Sequence, residues 1–264
     1  MNRWDVFAVL IVPMAAFFVL FVLGFKTTYL VSLLVFFLIP SIYLSLRKKE
    51  RVKKVALFTL ITTIPLYFII DILAYLGKDW IVPASLFPFR ILGVLPIEDF
   101  IWLFLVTYLV LIIYESISKD KFKPALGGRV TLMIAILYPL LLIAVGLFYL
   151  YPSLNIPYAF DILGFGLLLI PAVLVILRFP SYAITFLKVQ ILFSVIHLPF
   201  ELVGDKYGFW LYQGSYYIGW VKILGVSMPL EEMMFVMMFG AFAACAYYVF
   251  FTAQRIHKKK FLGL

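Results

Sequence analysis

Two short acidic motifs in this chain each begin a long apolar run. Pro-Ile-Glu-Asp occupies residues 96–99, and Pro-Leu-Glu-Glu occupies residues 229–232. Proline at the first helical position and acids in the first turn are typical of a helix start, so a single copy would indicate ordinary capping. Helix capping does not require two adjacent acids, and here the pair occurs twice. Placing acidic side chains at the end of a membrane segment also costs free energy. The candidate catalytic residues are therefore the four motif acids, Glu98, Asp99, Glu231 and Glu232.

Each motif follows an acid and a tryptophan at matching distances. Asp71 and Trp80 precede the first motif, and Glu201 and Trp210 precede the second at an offset of 130 residues. Adjacent helix residues point about 100° apart, so one acid of each pair is expected to face inward while the other caps the helix. A carboxyl group in an apolar cavity can act as a proton donor near neutral pH. We therefore expect the upstream acids and tryptophans to bind substrate beside the motif acids.

His197 is a further candidate for substrate binding, because it lies four residues before Glu201 and shares its helix face. A histidine and a glutamate in this arrangement could shuttle a proton. They could equally form a satisfied polar pair that joins two helices. Tyr67 stands at the matching position of the first half, so this pair has no counterpart there.

The composition is that of a membrane protein. Hydrophobic residues make up 66% of the chain, charged residues 13%, and the mean hydropathy is +1.12. Soluble domains carry roughly a quarter charged residues. The single cysteine, Cys245, excludes a disulfide framework, and the two histidines, His197 and His257, do not have the spacing of a metal site. No glycine-rich dinucleotide motif is present. We predict a protein without cofactor or metal.

Eight apolar runs are long enough to cross a bilayer, which takes about 20 helical residues. They lie near residues 5–24, 28–46, 55–76, 96–114, 130–151, 159–177, 182–203 and 227–251. Eight spans put both termini on one side, and that side then carries 17 of the 22 lysines and arginines. Positive loops stay in the cytoplasm, so both termini are predicted to be cytoplasmic in a multi-pass cell-membrane protein. The basic charge is then expected to meet anionic lipid headgroups, with no role in nucleic-acid binding.

The matching motifs predict an internal duplication. Residues 1–125 and 126–264 would each form a repeat of four transmembrane helices in an all-α protein. An even number of spans gives both copies the same orientation, as in parallel repeats related by an axis along the membrane normal. A functional site is expected at the interface between such repeats.

The composite pattern resembles the membrane-embedded lycopene cyclase domain, which occurs as two small subunits, as a fused tandem, or fused to phytoene synthase. The resemblance is carried by an acid, a glycine and a tryptophan, followed by Gly and Pro-x-Glu-(Glu/Asp) at the start of a Phe- and Met-rich span. It covers both halves. The first copy departs from it, because Gly77 and Trp80 are three residues apart whereas Gly208 and Trp210 are two apart. Asp79 and Trp102 are further departures in that copy.

The resemblance implies a lycopene β-cyclase that converts the ψ ends of lycopene to β-ionone rings without redox change. A carboxylic acid would protonate the terminal double bond, the chain would close on the cation, and a base would remove a proton. Glu98 and Glu231 would be the main acid or base candidates, with Asp99 and Glu232 beside them. Trp80 and Trp210 would line a cavity for a lipophilic carotenoid.

Other classes of function remain open at the level of sequence. A related carotenoid hydratase would begin with the same protonation and then add water. A small proton-coupled transporter would also suit parallel repeats with membrane acids, although such acids are expected near the bilayer centre. A structural or accessory subunit would tolerate replacement of both acid pairs. Neither the oligomeric state nor the number of ends cyclised follows from the sequence.

Overall fold

The computed structural model describes residues 1–118, 128–151 and 153–252. The boundary predicted between residues 125 and 126, and His257 with the C-terminal basic residues, lie outside these ranges. The described chain is mainly helical, as predicted. Its α-helices are α1 (Arg3–Phe17), α2 (Tyr29–Leu33), α3 (Ile39–Arg47), α4 (Lys49–Gly77), α5 (Ile97–Ile117), α6 (Gly128–Leu150), α7 (Ala159–Asp161), α8 (Ile170–Arg178), α9 (Ala183–Tyr207) and α10 (Leu230–Tyr247).

Several of these helices are continued by π-helical turns, so that fewer, longer segments result. The π-helices are Phe18–Val22 after α1, Leu34–Leu38 between α2 and α3, Ile162–Leu169 between α7 and α8, and Tyr248–Thr252 after α10; a 3₁₀ turn, Pro180–Tyr182, precedes α9. Pro40 and Pro171 are the second residues of α3 and α8, which follow two of these π-helices. A proline has no N–H to donate to the preceding turn, and local widening of the helix accommodates that loss.

Seven helices in the described residues are long and apolar enough to cross a membrane. They correspond to seven of the eight predicted spans, with the same order and similar bounds. The remaining predicted span, residues 159–177, falls within segment 159–178. In this segment the apolar helix is Gly164–Arg178, which is shorter than the seven spans. A multi-pass membrane protein is therefore supported. The cytoplasmic position of both termini requires segment 159–178 to cross as well, and stays a prediction.

The loop before α10 contains a β-hairpin that the sequence analysis did not predict. Strands β1 (Trp220–Ile223) and β2 (Val226–Pro229) pair antiparallel. The turn residues Leu224 and Gly225 have φ values of 49° and 89°. Two consecutive positive φ values define the turn that suits a tight hairpin, and glycine lowers its cost. Leu92 and Gly93 have the same property, with φ of 54° and 79°, in the loop before α5.

The core of the protein is formed by α4, α5, α9 and α10, and α5 is the most buried span. At the end of the bundle away from the acidic motifs, a buried ion cluster joins three of these helices. Lys54 Nζ lies 2.8 Å from Glu115 Oε1, Arg51 lies 3.4 Å from the other oxygen, and the Tyr247 hydroxyl donates to Glu115 at 2.6 Å. Because one partner buried alone would be costly, this cluster fixes α4, α5 and α10 relative to one another.

Candidate active site

A cavity of about 390 Å³ lies between the helices and is lined mainly by apolar side chains from both halves of the chain. Six carboxyl side chains line it, all from helix ends on one side of the bundle. They are Asp71, Asp99, Asp161, Glu201, Glu231 and Glu232. No lysine, arginine or histidine lines it within the described residues. The two acidic motifs, far apart in sequence, thus contribute to one cavity.

The cavity is elongated, with its acids at one end. Its lining on α10 and the π-helix that continues it runs from Glu231 to Phe250, which is roughly 28 Å at about 1.5 Å per residue. On α4 it runs from Asp71 to Phe58, roughly 20 Å. Phenylalanine and methionine side chains from α10 form much of the apolar remainder. The shape suits a long apolar molecule whose end reaches the carboxyl groups.

The two acids of the first motif point to different parts of the protein. Pro96 has extended backbone angles (φ −75°, ψ 143°), and α5 begins directly after it. Glu98 turns to the preceding loop, where its carboxylate accepts hydrogen bonds from Ser85 Oγ at 2.8 Å and from the Leu86 amide at 2.7 Å. Asp99 turns to the cavity. Glu98 does not line the cavity. Adjacent helix residues point about 100° apart, so only one acid of the motif faces the cavity, and that acid is Asp99.

The acids of the second motif have a similar arrangement, except that Glu231 contacts both the preceding loop and the cavity. Glu231 Oε1 accepts a hydrogen bond from the Ile218 amide at 2.5 Å. Its Oε2 is buried, has no hydrogen-bond partner among the described residues, and lies at the cavity, as does Glu232. The first acid of each motif thus accepts a backbone N–H from its preceding loop, and the second faces the cavity.

The upstream acids complete two carboxyl pairs. Asp71 on α4 lies close enough to Asp99 for their charges to interact, and Glu201 on α9 has the same relation to Glu232. All four side chains are buried. Two carboxylates at about 4 Å repel by about 4 kcal/mol even with an effective dielectric constant near 20. Because the two charges of a pair repel, each pair is more stable when it holds a proton, and in the first pair Arg90 also acts on the Asp99 carboxylate.

His197 is completely buried and does not line the cavity. Its Nε2 lies 3.0 Å from Glu201 Oε1, and its ring packs against Phe193 and Phe200. The buried imidazole therefore lies in contact with the Glu201 carboxyl. Tyr67, which holds the matching place in the first half, donates its hydroxyl to the Pro96 carbonyl at 2.9 Å instead.

Trp80 and Trp210 both line the cavity. The residues that follow them, Ile81 and Leu211, form an isolated antiparallel bridge. Trp210 lies directly on Gly204, where an added Cβ would come within 2.2 Å of the indole ring. Only glycine at that position lets the ring reach this place in the wall.

Three further residues at the site were not singled out as site residues from the sequence. Asp161 lies in the first turn of α7, beside Glu231. Tyr29 lies near Asp99, and Asp205 is flanked by Trp210 and Tyr212. Asp161 and Asp205 carried the same signal as Asp71, an acid at the end of an apolar run. Tyr29 carried none, because tyrosines are common in this chain.

Tyr212 adds a neutral polar group to the lining. It lies in the loop after α9, and its hydroxyl is buried beside acidic side chains. Burial, followed by the charges of Glu232 and Asp205, holds the pKa of Tyr212 well above its usual value of about 10. The phenol therefore stays protonated at all physiological pH values and can donate a hydrogen bond.

The described residues contain no group of three or more His, Cys, Asp or Glu side chains arranged to hold a metal ion. Comparison of the chain with protein-family models, with curated proteins and with solved structures finds no match.

Proposed function

We propose that the protein is a carotenoid end-group cyclase that converts the ψ ends of lycopene to β-ionone rings. The observation that carries this proposal is the placement of both acidic motifs at one end of a single long apolar cavity. An extended hydrocarbon would lie along the cavity with its terminal double bond at the carboxyl groups. The chemistry available there is proton transfer, since the lining offers acids, a phenol and aromatic rings.

The reaction uses one proton and returns one. A protonated carboxyl group donates its proton to the terminal carbon–carbon double bond and leaves a tertiary carbocation. The electrons of a nearby double bond attack that cation, close the six-membered ring and move the positive charge into it. A carboxylate then removes a ring proton, and the new double bond forms. Substrate and product are isomers, so no oxidant or reductant is needed.

The carboxyl pairs supply both partners of this exchange. A pair such as Glu201 and Glu232 that holds one proton contains an acid and a base side by side. Asp71 and Asp99 form the second such pair. Glu232 and Asp99 are the preferred donors because they face the cavity from helix starts, whereas Glu98 is engaged with its loop. Of the two residues that the resemblance favoured, Glu231 keeps one free oxygen at the cavity and Glu98 does not reach it.

Aromatic rings surround the place where the cation would form. Trp80, Trp210 and Phe235 line the cavity near the acids. A ring face attracts a cation by about 0.5–2 kcal/mol, more when water is excluded. The same walls keep water from the cation, which favours ring closure over addition of water.

We further propose that the halves are two copies of one repeat. Two features recur in each half. The turn of Leu92 and Gly93 corresponds to that of Leu224 and Gly225. Glu98 and Glu231 each accept a hydrogen bond from a backbone amide in the preceding loop. The copies are unequal. Arg90 acts on the Asp99 carboxylate, and the second copy has His197 behind Glu201. Unequal surroundings predict that one pair carries most of the catalysis.

Expression in bacteria that accumulate lycopene, followed by pigment chromatography, tests the proposal. We expect monocyclic or bicyclic product with the unaltered chain. Of the variants Glu232→Gln and Asp99→Asn, the one in the dominant pair should lose about 100-fold or more, as for removal of a general acid, and the other should lose less. Glu50→Gln is the matched control, because the Glu50 side chain is 65% exposed and far from the cavity acids. Unchanged lycopene, with the unaltered protein present in the membrane, would rule out the cyclase.

A further inference from the structure

One wall of the cavity is formed by two segments that follow each other in the chain without packing together. α6 packs along α4, and segment 159–178 packs on α10. Within the described residues, neither α8 nor the π-helix before it packs along α6. Closely packed helices have axes about 8–10 Å apart and approach each other along their length. The wall therefore has a gap between α6 and segment 159–178, which we call the parting.

One side chain at this parting, Ile136, faces both the cavity and the outside. Ile136 on α6 lines the cavity and is nevertheless 49% exposed. Gly164 lines it from the opposite side, and a Cβ added there would meet no atom within 4 Å. A residue that is both cavity-lining and half exposed marks a place where the wall is thin. At this depth in the bundle the outside is the hydrocarbon of the bilayer.

The backbone on one side of the parting departs from regular α-helix. The π-helix Ile162–Leu169 contains Gly164 and Gly166, and neither has a neighbour within 4 Å of an added Cβ. π-helical turns are uncommon and occur often at functional sites. Two glycines in a wide turn leave space that larger side chains would fill.

We propose that an elongated, uncharged apolar ligand enters the cavity from the bilayer between α6 and segment 159–178, one end first, and advances until that end meets the carboxyl groups. The inference rests on the proposed function in taking this cavity as the substrate site, and it specifies where the substrate comes from. A hydrocarbon dissolved in the bilayer would have to expose its apolar surface to water on any route through the aqueous phase, which is unfavourable. A lateral opening avoids that cost.

A time-resolved photolabelling experiment tests the route without using catalysis. The protein in lipid vesicles receives a straight-chain alkyl diazirine without a charged group, and a light flash follows after varied delays. Mass spectrometry then measures labelling of cavity residues on α10, such as Met238 and Phe242, and of Phe7 on α1, which is 57% exposed. The Phe7 signal reports the probe in the bilayer.

Gly164→Phe and Ile136→Trp narrow the parting, and Gly146→Phe and Leu142→Trp are their matched controls. Gly146 has the same open space and Leu142 is 71% exposed, yet neither lines the cavity. We expect cavity labelling to develop several-fold more slowly in the narrowed variants and at the unaltered rate in the controls, with equal labelling of Phe7 throughout.

Two results would overturn the route. One is cavity labelling that develops equally fast in narrowed variants and controls. The other is absence of cavity labelling in the unaltered protein while Phe7 is labelled. The readout is labelling and does not depend on catalysis. Labelling that is slowed in the narrowed variants supports the route even if the protein does not cyclise lycopene. Equal labelling in a protein that does cyclise lycopene rejects the route and leaves the proposed function intact.

Discussion

Ile81 and Leu211, which directly follow Trp80 and Trp210, exchange two backbone hydrogen bonds. The Ile81 amide donates to the Leu211 carbonyl at 2.9 Å, and the Leu211 amide donates to the Ile81 carbonyl at 2.8 Å. Under the proposed duplication these two residues hold matching places, and matching residues meet reciprocally across a two-fold axis. The bridge joins the two loops and holds both tryptophans in the wall of one cavity.

Replacing Gly204 with alanine is expected to disturb this wall. The added Cβ would lie 2.2 Å from the Trp210 ring, so the indole must leave its place. Overpacking of this kind costs about 1–3 kcal/mol, and we expect a lower unfolding temperature together with reduced activity. Thermal unfolding of the purified protein in detergent measures the first effect. Gly146→Ala is the control, because its Cβ would meet open space; equal unfolding temperatures for the two variants would contradict the close approach.

Glu98 is expected to act as an anchor of its loop, without a part in proton transfer. Glu98→Gln keeps an oxygen that can accept from the Leu86 amide, whereas Glu98→Ala leaves that amide without its acceptor. The alanine variant should therefore lose about 1–3 kcal/mol of stability. The glutamine variant should stay close to the unaltered protein in turnover. Activity of both variants in membranes, normalised to folded protein, decides the matter: a loss with Glu98→Gln as large as with Glu232→Gln would assign catalysis to Glu98.

The ion cluster at the other end of the bundle should show strong coupling. Glu115→Leu leaves Lys54 buried without its counter-charge, and we expect a loss of about 3–5 kcal/mol. Adding Lys54→Met removes the stranded charge and should recover much of that loss. A double-mutant cycle of unfolding free energies measures the coupling. Glu50→Gln should change stability by less than about 0.5 kcal/mol, as at other exposed sites; additive effects of Glu115 and Lys54 would show that the pair is unimportant.

The helical bundle was largely predictable from the sequence, because apolar runs of about 20 residues between basic loops allow few other structures. Hairpin β1–β2 was not predicted, because each strand has only four residues, which is too short for a clear alternation of apolar and polar positions. Segment 159–178 was predicted as an ordinary span, and periodicity gives no signal for its π-helix.

The site was predictable in its residue types but not in its division of labour. The sequence grouped Asp71, Glu201 and the motif acids from their spacing alone. It could not tell that Glu98 turns away while Asp99 turns inward, because that depends on where Ser85 and Leu86 bring the loop. Nor could it tell that Asp161, from another span, meets Glu231 at the cavity. Contacts between distant segments set both outcomes.

Cyclisation in deuterium oxide is the most direct test of the central claim that carboxyl groups at the cavity end protonate the substrate. Membranes containing the protein are exchanged into deuterium oxide and supplied with lycopene, and the products are separated and weighed by mass spectrometry. We predict ring-containing isomers that carry one deuterium for each ring formed, and no such product with Glu232→Gln and Asp99→Asn combined. Recovery of lycopene without deuterium, or of a product that has gained the mass of heavy water, would contradict the cyclase.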